Sequence, residues 1–442
     1  MPDAETLDTH QKALSINLDA RIFGSFAEIG AGQEVARWFL QVGAASGTVA
    51  KTISAYDKEV SDDLYGAGTR YVSRPRLQSM LEHEWAQLLS QLSATRGATT
   101  RFFSFVDTIS ARNFAGDNDT HGWMGLRFQT QPLGPPSDVI LHVNLRDNSN
   151  LAQQAAVGIL GVNLIYASIH NLSNAVDFLA QIASDLPLRR IEIDCVTLKG
   201  PAFDHWKPRD VHATLVANHH AEAVVFPLDG NLVPCNELLY KKAVVIAPGA
   251  YNLTERLNGQ MIEAALAALP KQDLEQSKGS IGFSSFRCAA AANNQSTDLT
   301  VPQILERVDA LQKVGSGVLV FRQREIYKLA AFVNRFTKAR IHFAAEIPVL
   351  MRALQDNYAD LAGGLLEGIA HLFRENVRLS IFPTPVTAMQ EGLAAAVLTG
   401  WKWKEVNGFV GARDIEPPEP MNHLYRYLVG SQFILPMDLP TK

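Results

Sequence analysis

The segment IEIDCVTLKG (191–200) sets a carboxylate, Asp194, inside an apolar run and an ammonium, Lys199, just past its end. A carboxylate held out of water beside a cation suits proton transfer, or a grip on a phosphate or carbonyl. A salt bridge at the edge of a sheet, closed by a turn, is the structural alternative. Glu346 ends a second apolar run, IHFAAE (341–346), in the same way. These three residues are the catalytic candidates.

A different chemistry is suggested by IGAGQEVARWF (29–39), where Gly30 and Gly32 lead through Gln33 into a helical pattern. A dinucleotide fingerprint requires a third glycine, and Val35 stands there. A phosphate loop requires a lysine after the last glycine, and Gln33 stands there. What remains is a flexible turn whose N–H groups, those of Gly30, Gly32 and Gln33, can hold an anion at a helix start. The same glycines also serve tight packing or a positive φ. GAASGTVAKT (43–52) resembles a phosphate loop in composition, although Gly47 and Lys51 are wrongly spaced and Ser46 suits a helix N-cap. GDNDTHG (116–122) gathers Asp117, Asp119 and His121. A divalent ion fits these groups, yet no glutamate completes a calcium loop and the residues are those of a turn. His219 and His220 end a helical pattern, where imidazoles favour the local dipole. No nucleophile elbow, HExxH or catalytic cysteine signature occurs, so no metal site and no cofactor is assigned.

The elements that must position these groups fall into two styles. Residues 1–20 read as a loose arm. From 33 to 96 helical spacing dominates, with Val35, Trp38 and Phe39 on one face and Leu77, Met80, Leu81, Trp85, Leu88 and Leu92 on another. RFFSFVDTIS, GWMGLRFQTQ and DVILHVNL then read as a short antiparallel unit. After residue 150 apolar strands alternate with amphipathic helices, with strands near 190, 222, 242, 280, 317, 339 and 377. That alternation predicts an α/β fold of βα repeats around a mostly parallel sheet, TIM-barrel-like or open and doubly wound. The expected division is an N-terminal region, 1–135, and an α/β domain, 136–442.

Composition narrows the function. The chain has 442 residues, 47% of them hydrophobic, and a net charge of −5, so it can bury a large core and carries no basic block. Nucleic-acid binding is disfavoured, since duplex affinity rests on clustered Lys and Arg. The opening residues lack the apolar core of a secretory signal, and the apolar run at 155–169 contains Asn163 and falls short of a membrane span. Cys195, Cys235 and Cys288 are scattered, without a CxxC pair, which points to a reducing cytoplasm.

FGSFAEIGAGQEVARWF, GTVAKTISAYD, RYVSRPRLQSML, HGWMGLRFQ and GILGVNLIYASI together resemble a widespread group of bacterial proteins. Its members carry conflicting labels, nicotinate-nucleotide adenylyltransferase and TonB-dependent receptor. The resemblance implies no site residues. A TonB-dependent receptor requires many alternating membrane strands, and a nicotinate-type nucleotidyltransferase an early paired-histidine motif; neither pattern is present. The expectation is therefore a cytoplasmic enzyme for a small anionic metabolite, phosphorylated or nucleotide-like, and a homo-oligomer without nucleic-acid or membrane partners. The alternative is a non-catalytic scaffold or regulatory partner on the same α/β body.

Overall fold

The computed structural model describes residues 7–68, 70–249, 255–289, 298–323, 325–355, 358–374, 376–396 and 399–438. The fold is α/β, and the chain forms two compact units, 1–222 and 223–442. The division expected at 135/136 falls instead between two paired strands of the first unit.

The first unit is built on a six-stranded sheet. Its strands are β1 (Ile22–Ile29), β2 (Val49–Ile53), β3 (Arg101–Ser110), β4 (His121–Gln129), β5 (Pro136–Leu145) and β6 (Ile191–Lys199), in the order β2-β1-β3-β4-β5-β6. β1, β2 and β3 run parallel; β3 to β6 pair antiparallel, which includes the expected unit of three strands. Two expectations are corrected here. The strand at 190–196 is not part of the parallel sheet; it is an antiparallel edge strand of this one. Residues 20–100 also hold two parallel strands, so the phosphate-loop-like GTVAKT lies in and just before β2.

Helices cover both faces. The helices are α1 (Thr9–Asn17), α2 (Glu34–Gln41), α3 (Lys58–Tyr65), α4 (Arg74–Arg96), α5 (Asn150–His170), α6 (Ala175–Ile182) and α7 (Pro208–Ala217). Leu77, Met80 and Leu81 of α4 pack with Ala27, Val106, Trp123 and Ile140 on one face. On the other, Phe39 of α2 lies against Phe26, with Phe103 and Phe105 beside it. Gly161 of α5 lets α2 come close, because a Cβ there would meet Val35 at 2.2 Å. α5 is apolar and long enough to span a membrane by composition, but 67% of that stretch is buried within the unit, as in a core helix. The expected loose arm carries α1, whose buried Lys12 donates to Asn163 at 2.8 Å and Ser184 at 3.1 Å. Burial lowers the proton affinity of that amine.

The second unit holds the mostly parallel sheet. Its strands are β7 (Ala223–Phe226), β8 (Ala243–Pro248), β9 (Ser280–Arg287), β10 (Gly317–Phe321), β11 (Ile341–Glu346), β12 (Val377–Phe382) and a short strand, Ile434–Pro436. From one edge the order is Ile434–Pro436, β12, β11, β8, β9, β10, β7, with β7 alone antiparallel. The sheet has two edges, so of the two expected forms it is the open, doubly wound one. β8 to β10 step one way and β11 onward the other, which puts the reversal between β8 and β11.

Candidate functional site

At one end of the first sheet lie the carboxyl ends of β1, β3 and β5 and the amino ends of β4 and β6. Pairing His121 with Asn144, and Trp123 with His142, puts these four side chains on the face covered by α4. β6 contributes Asp194 at a bulge, where the register shifts between His142 and Val143. A bulge re-aims a side chain that regular alternation would have placed elsewhere.

The result is a buried line of polar groups. His142 Nδ1 lies 2.6 Å from Asp194 Oδ1, and Asn144 Nδ2 donates to Asp194 Oδ2 at 3.1 Å. His142 Nε2 faces His121 Nδ1 at 3.1 Å. His121 Nε2 is 3.5 Å from the Arg70 guanidinium and 4.0 Å from Asp119 Oδ2, both exposed residues. Trp123 stands edge-on to His142, 4.9 Å between ring centres. Since Asp194 accepts from Asn144 on one oxygen, its other oxygen accepts from His142 Nδ1–H. That assigns His142 Nε2 as an acceptor, His121 Nδ1 as its donor, and His121 Nε2 as a basic lone pair at the outer end. Burial holds His121 neutral, its pKa pushed down to about 3, with His142 and Arg70 adding to the effect. Outside the line, Asn144 also reaches Glu192 at 3.3 Å, and Arg146 joins Glu192 to Glu222 at 2.6 and 2.7 Å. Such a line can take up a proton at the surface and stabilise it from within.

Lys199 does not join Asp194. It is exposed, pairs in register with Asp138, and sits five residues along β6, about 16 Å away. Glu346 ends β11 in the second unit.

The glycine turn holds an anion that belongs to the chain itself. Glu28, two residues before Gly30, accepts from Val35 N at 3.0 Å and Ala36 N at 2.9 Å, the first-turn amides of α2. Those two amides are therefore not open to a phosphate. Gly30 has φ +101°, and a Cβ on it would lie 1.8 Å from the Ile109 carbonyl oxygen, so packing requires this glycine. Gly32 (φ +78°) is exposed, and the half-buried Gln33 donates to Thr52 Oγ1 at 3.1 Å. Gln33, Arg37, Leu40 and Thr52 border a shallow surface hollow of about 510 Å³ on the outer side of α2.

Asp107 stands opposite Glu28 in register on β3 and accepts from Ile29 N at 3.1 Å, while its Oδ2 has no hydrogen-bond partner among the described residues. Burial raises Glu28 to about 7 and holds Asp107 well above the usual carboxylate range, the Glu28 charge adding to the latter. Glu28 has two amides to stabilise a charge, so of the two Asp107 holds its proton more firmly.

Of the residues singled out from the sequence, Asp194 and His121 lie in this line; His142, Asn144, Arg70 and Glu28 were not among them. Among the described residues no cluster of His, Cys, Asp and Glu has the makings of a metal site.

No family model and no curated protein matches the chain. Solved structures do resemble part of it. One is the competence/damage inducible protein CihA from Agrobacterium tumefaciens, at 18% identity over 36% of this chain and 95% of that one, TM-score 0.28. Another is the competence damage-inducible protein A (ComA) from Klebsiella pneumoniae, at 10% identity over 36% and 96%, TM-score 0.28. A CinA superfamily protein from Enterobacter cloacae gives 10% identity over 38% and 95%, TM-score 0.28. Similarity at this level carries no argument about activity.

Proposed function

We propose that the protein is a cytoplasmic enzyme that transfers a proton on a small anionic metabolite, phosphorylated or nucleotide-like. The observation that supports this reading is the directed line Asp194–His142–His121. His121 is the base, His142 and Asp194 fix its tautomer, the Asp194 charge favours the proton it takes, and Arg70 meets the anionic group. A neutral imidazole backed by a buried carboxylate is the arrangement that general-base chemistry uses.

The test begins with a thermal-shift screen against sugar phosphates and nucleotides, since a ligand that binds the native state raises apparent stability. Any ligand found is then assayed for turnover. His121→Gln should remove turnover and leave the ligand shift, while Arg70→Ala should remove the shift. Unchanged turnover in His121→Gln would discard the reading.

A second reading, an oligomeric or regulatory binding module, draws on Phe114. It is fully exposed at the tip of the β3–β4 loop, which Asn113 and Asn118 brace through Gly116 N, Ser110 and Ala111. If that reading holds, Phe114→Ser changes the sedimentation behaviour of the protein and His121→Gln does not.

A further inference from the structure

The second unit contains a feature that the proton-transfer site does not use. β8 and β11 are neighbours at the point where strand order reverses, and ligands of open α/β sheets settle outside the carboxyl ends of such a pair. The two strands part there. Their pairing runs from Val244–Ile341 to Ile246–Phe343 and stops, although β8 continues to Pro248 and β11 to Glu346. Each stays paired to its outer neighbour to the end, Pro248 with Ser285 and Glu346 with Phe382. The carboxyl ends of β8 and β11 are therefore not paired to each other, the place where a crevice forms at such a reversal, and Glu346 is the last residue on one side of it.

Glu346 is half-buried, and among the described residues its carboxylate has neither a hydrogen bond nor an ion pair. Burial alone raises its proton affinity, with no partner lowering it. A desolvated carboxylate without donors is costly to keep, and such a group at a strand end marks a binding position. Its surroundings set the ligand class. Among the described residues beside it, Pro248 has no N–H to offer, and Ala345 and Phe382 are buried and apolar. A phosphate would be repelled by the carboxylate, and an ammonium would bring a second charge to desolvate. Two neighbouring hydroxyls satisfy both oxygens while staying neutral.

We infer that the carboxyl-end cleft between β8 and β11 binds a ligand with vicinal hydroxyls, such as a ribose, and that Glu346 accepts from both of them. The inference is independent of the proton-transfer site, so either can fail alone.

Calorimetric titration of the full chain with adenosine, free ribose, 2′,3′-dideoxyadenosine and a simple diamine tests it. Binding of adenosine or ribose is expected, with ribose binding alone identifying a sugar site and adenosine binding a nucleoside site. The dideoxy compound should bind about tenfold to a hundredfold more weakly than adenosine, as loss of hydrogen bonds to a charged group implies. Glu346→Gln and Glu346→Ala should lose the same factor while melting no lower than the parent, and His121→Gln should bind normally. Binding of the diamine alone, equal binding of the dideoxy compound, full affinity in Glu346→Ala, or no binding by any probe overturns the inference.

Discussion

His142 Nδ1 and Asp194 Oδ1 are 2.6 Å apart, and this one contact sets the direction of every hydrogen bond outward to His121. The first prediction follows from it. In the native protein His142 carries its proton on Nδ1 and His121 likewise, as long-range proton–nitrogen correlation spectra will report. Asp194→Ala should release both rings to mixed tautomers and reduce turnover on any substrate about a hundredfold or more. Unchanged tautomers would show that the carboxylate does not orient the line.

Acid should weaken the first unit through His121. Its folded pKa, about 3, lies below the ordinary 6.5, so the folded state prefers the neutral ring. The stabilisation is complete above pH 6.5 and is lost as pH falls from there toward 3, on the order of 5 kcal/mol in full. Denaturant midpoints of the native protein and His121→Gln, compared from pH 7 to 4, should converge as the pH drops.

The carboxyl pair works in the opposite sense. Glu28 rises from 4.5 to about 7 and Asp107 rises further, so the folded state holds protons that the unfolded chain has released. Stability from these groups is present at low pH and falls as pH rises from about 4.5 through 7, roughly 3 kcal/mol for Glu28. Asp107→Asn keeps the acceptor for Ile29 N and has no carboxyl proton to lose, so its stability should decline less as the pH rises. An equal decline would mean that Asp107 is not the group that holds the proton.

Gly30 and Gly32 should respond differently to alanine. Gly30→Ala drives a methyl into the Ile109 carbonyl and should cost more than about 4 kcal/mol. Gly32→Ala meets nothing nearer than 3.7 Å and pays only for its positive φ, about 1 to 2 kcal/mol. Urea midpoints of the two variants give the comparison directly.

The α/β class and the antiparallel β3–β5 unit were legible because their periods differ and sequence records period. Strand direction was not. β6 is buried on both faces from Ile191 to Val196, and a strand buried on both faces looks the same in a parallel or an antiparallel setting. A parallel β6 makes Lys199 the natural partner of Asp194, whereas the bulge and the antiparallel neighbour β5 supply His142. His142 sits alone in DVILHVNL, and a single histidine in a strand carries no signal until the opposite strand is known. Glu28 had a readable clue, an acid two residues before a glycine turn and a helix start, which marks an internal cap as readily as a place for phosphate.

That internal cap has a wider consequence. A helix whose tip binds a free ion changes its anchorage with the composition of the cell; α2 takes its counter-charge from the preceding strand of the same chain. Its hold on β1 is thus unimolecular. It does not weaken on dilution and does not compete with cellular phosphate. Glu28→Ala would turn it into a bimolecular contact, and acetate or formate in the buffer should then restore what the mutation removed.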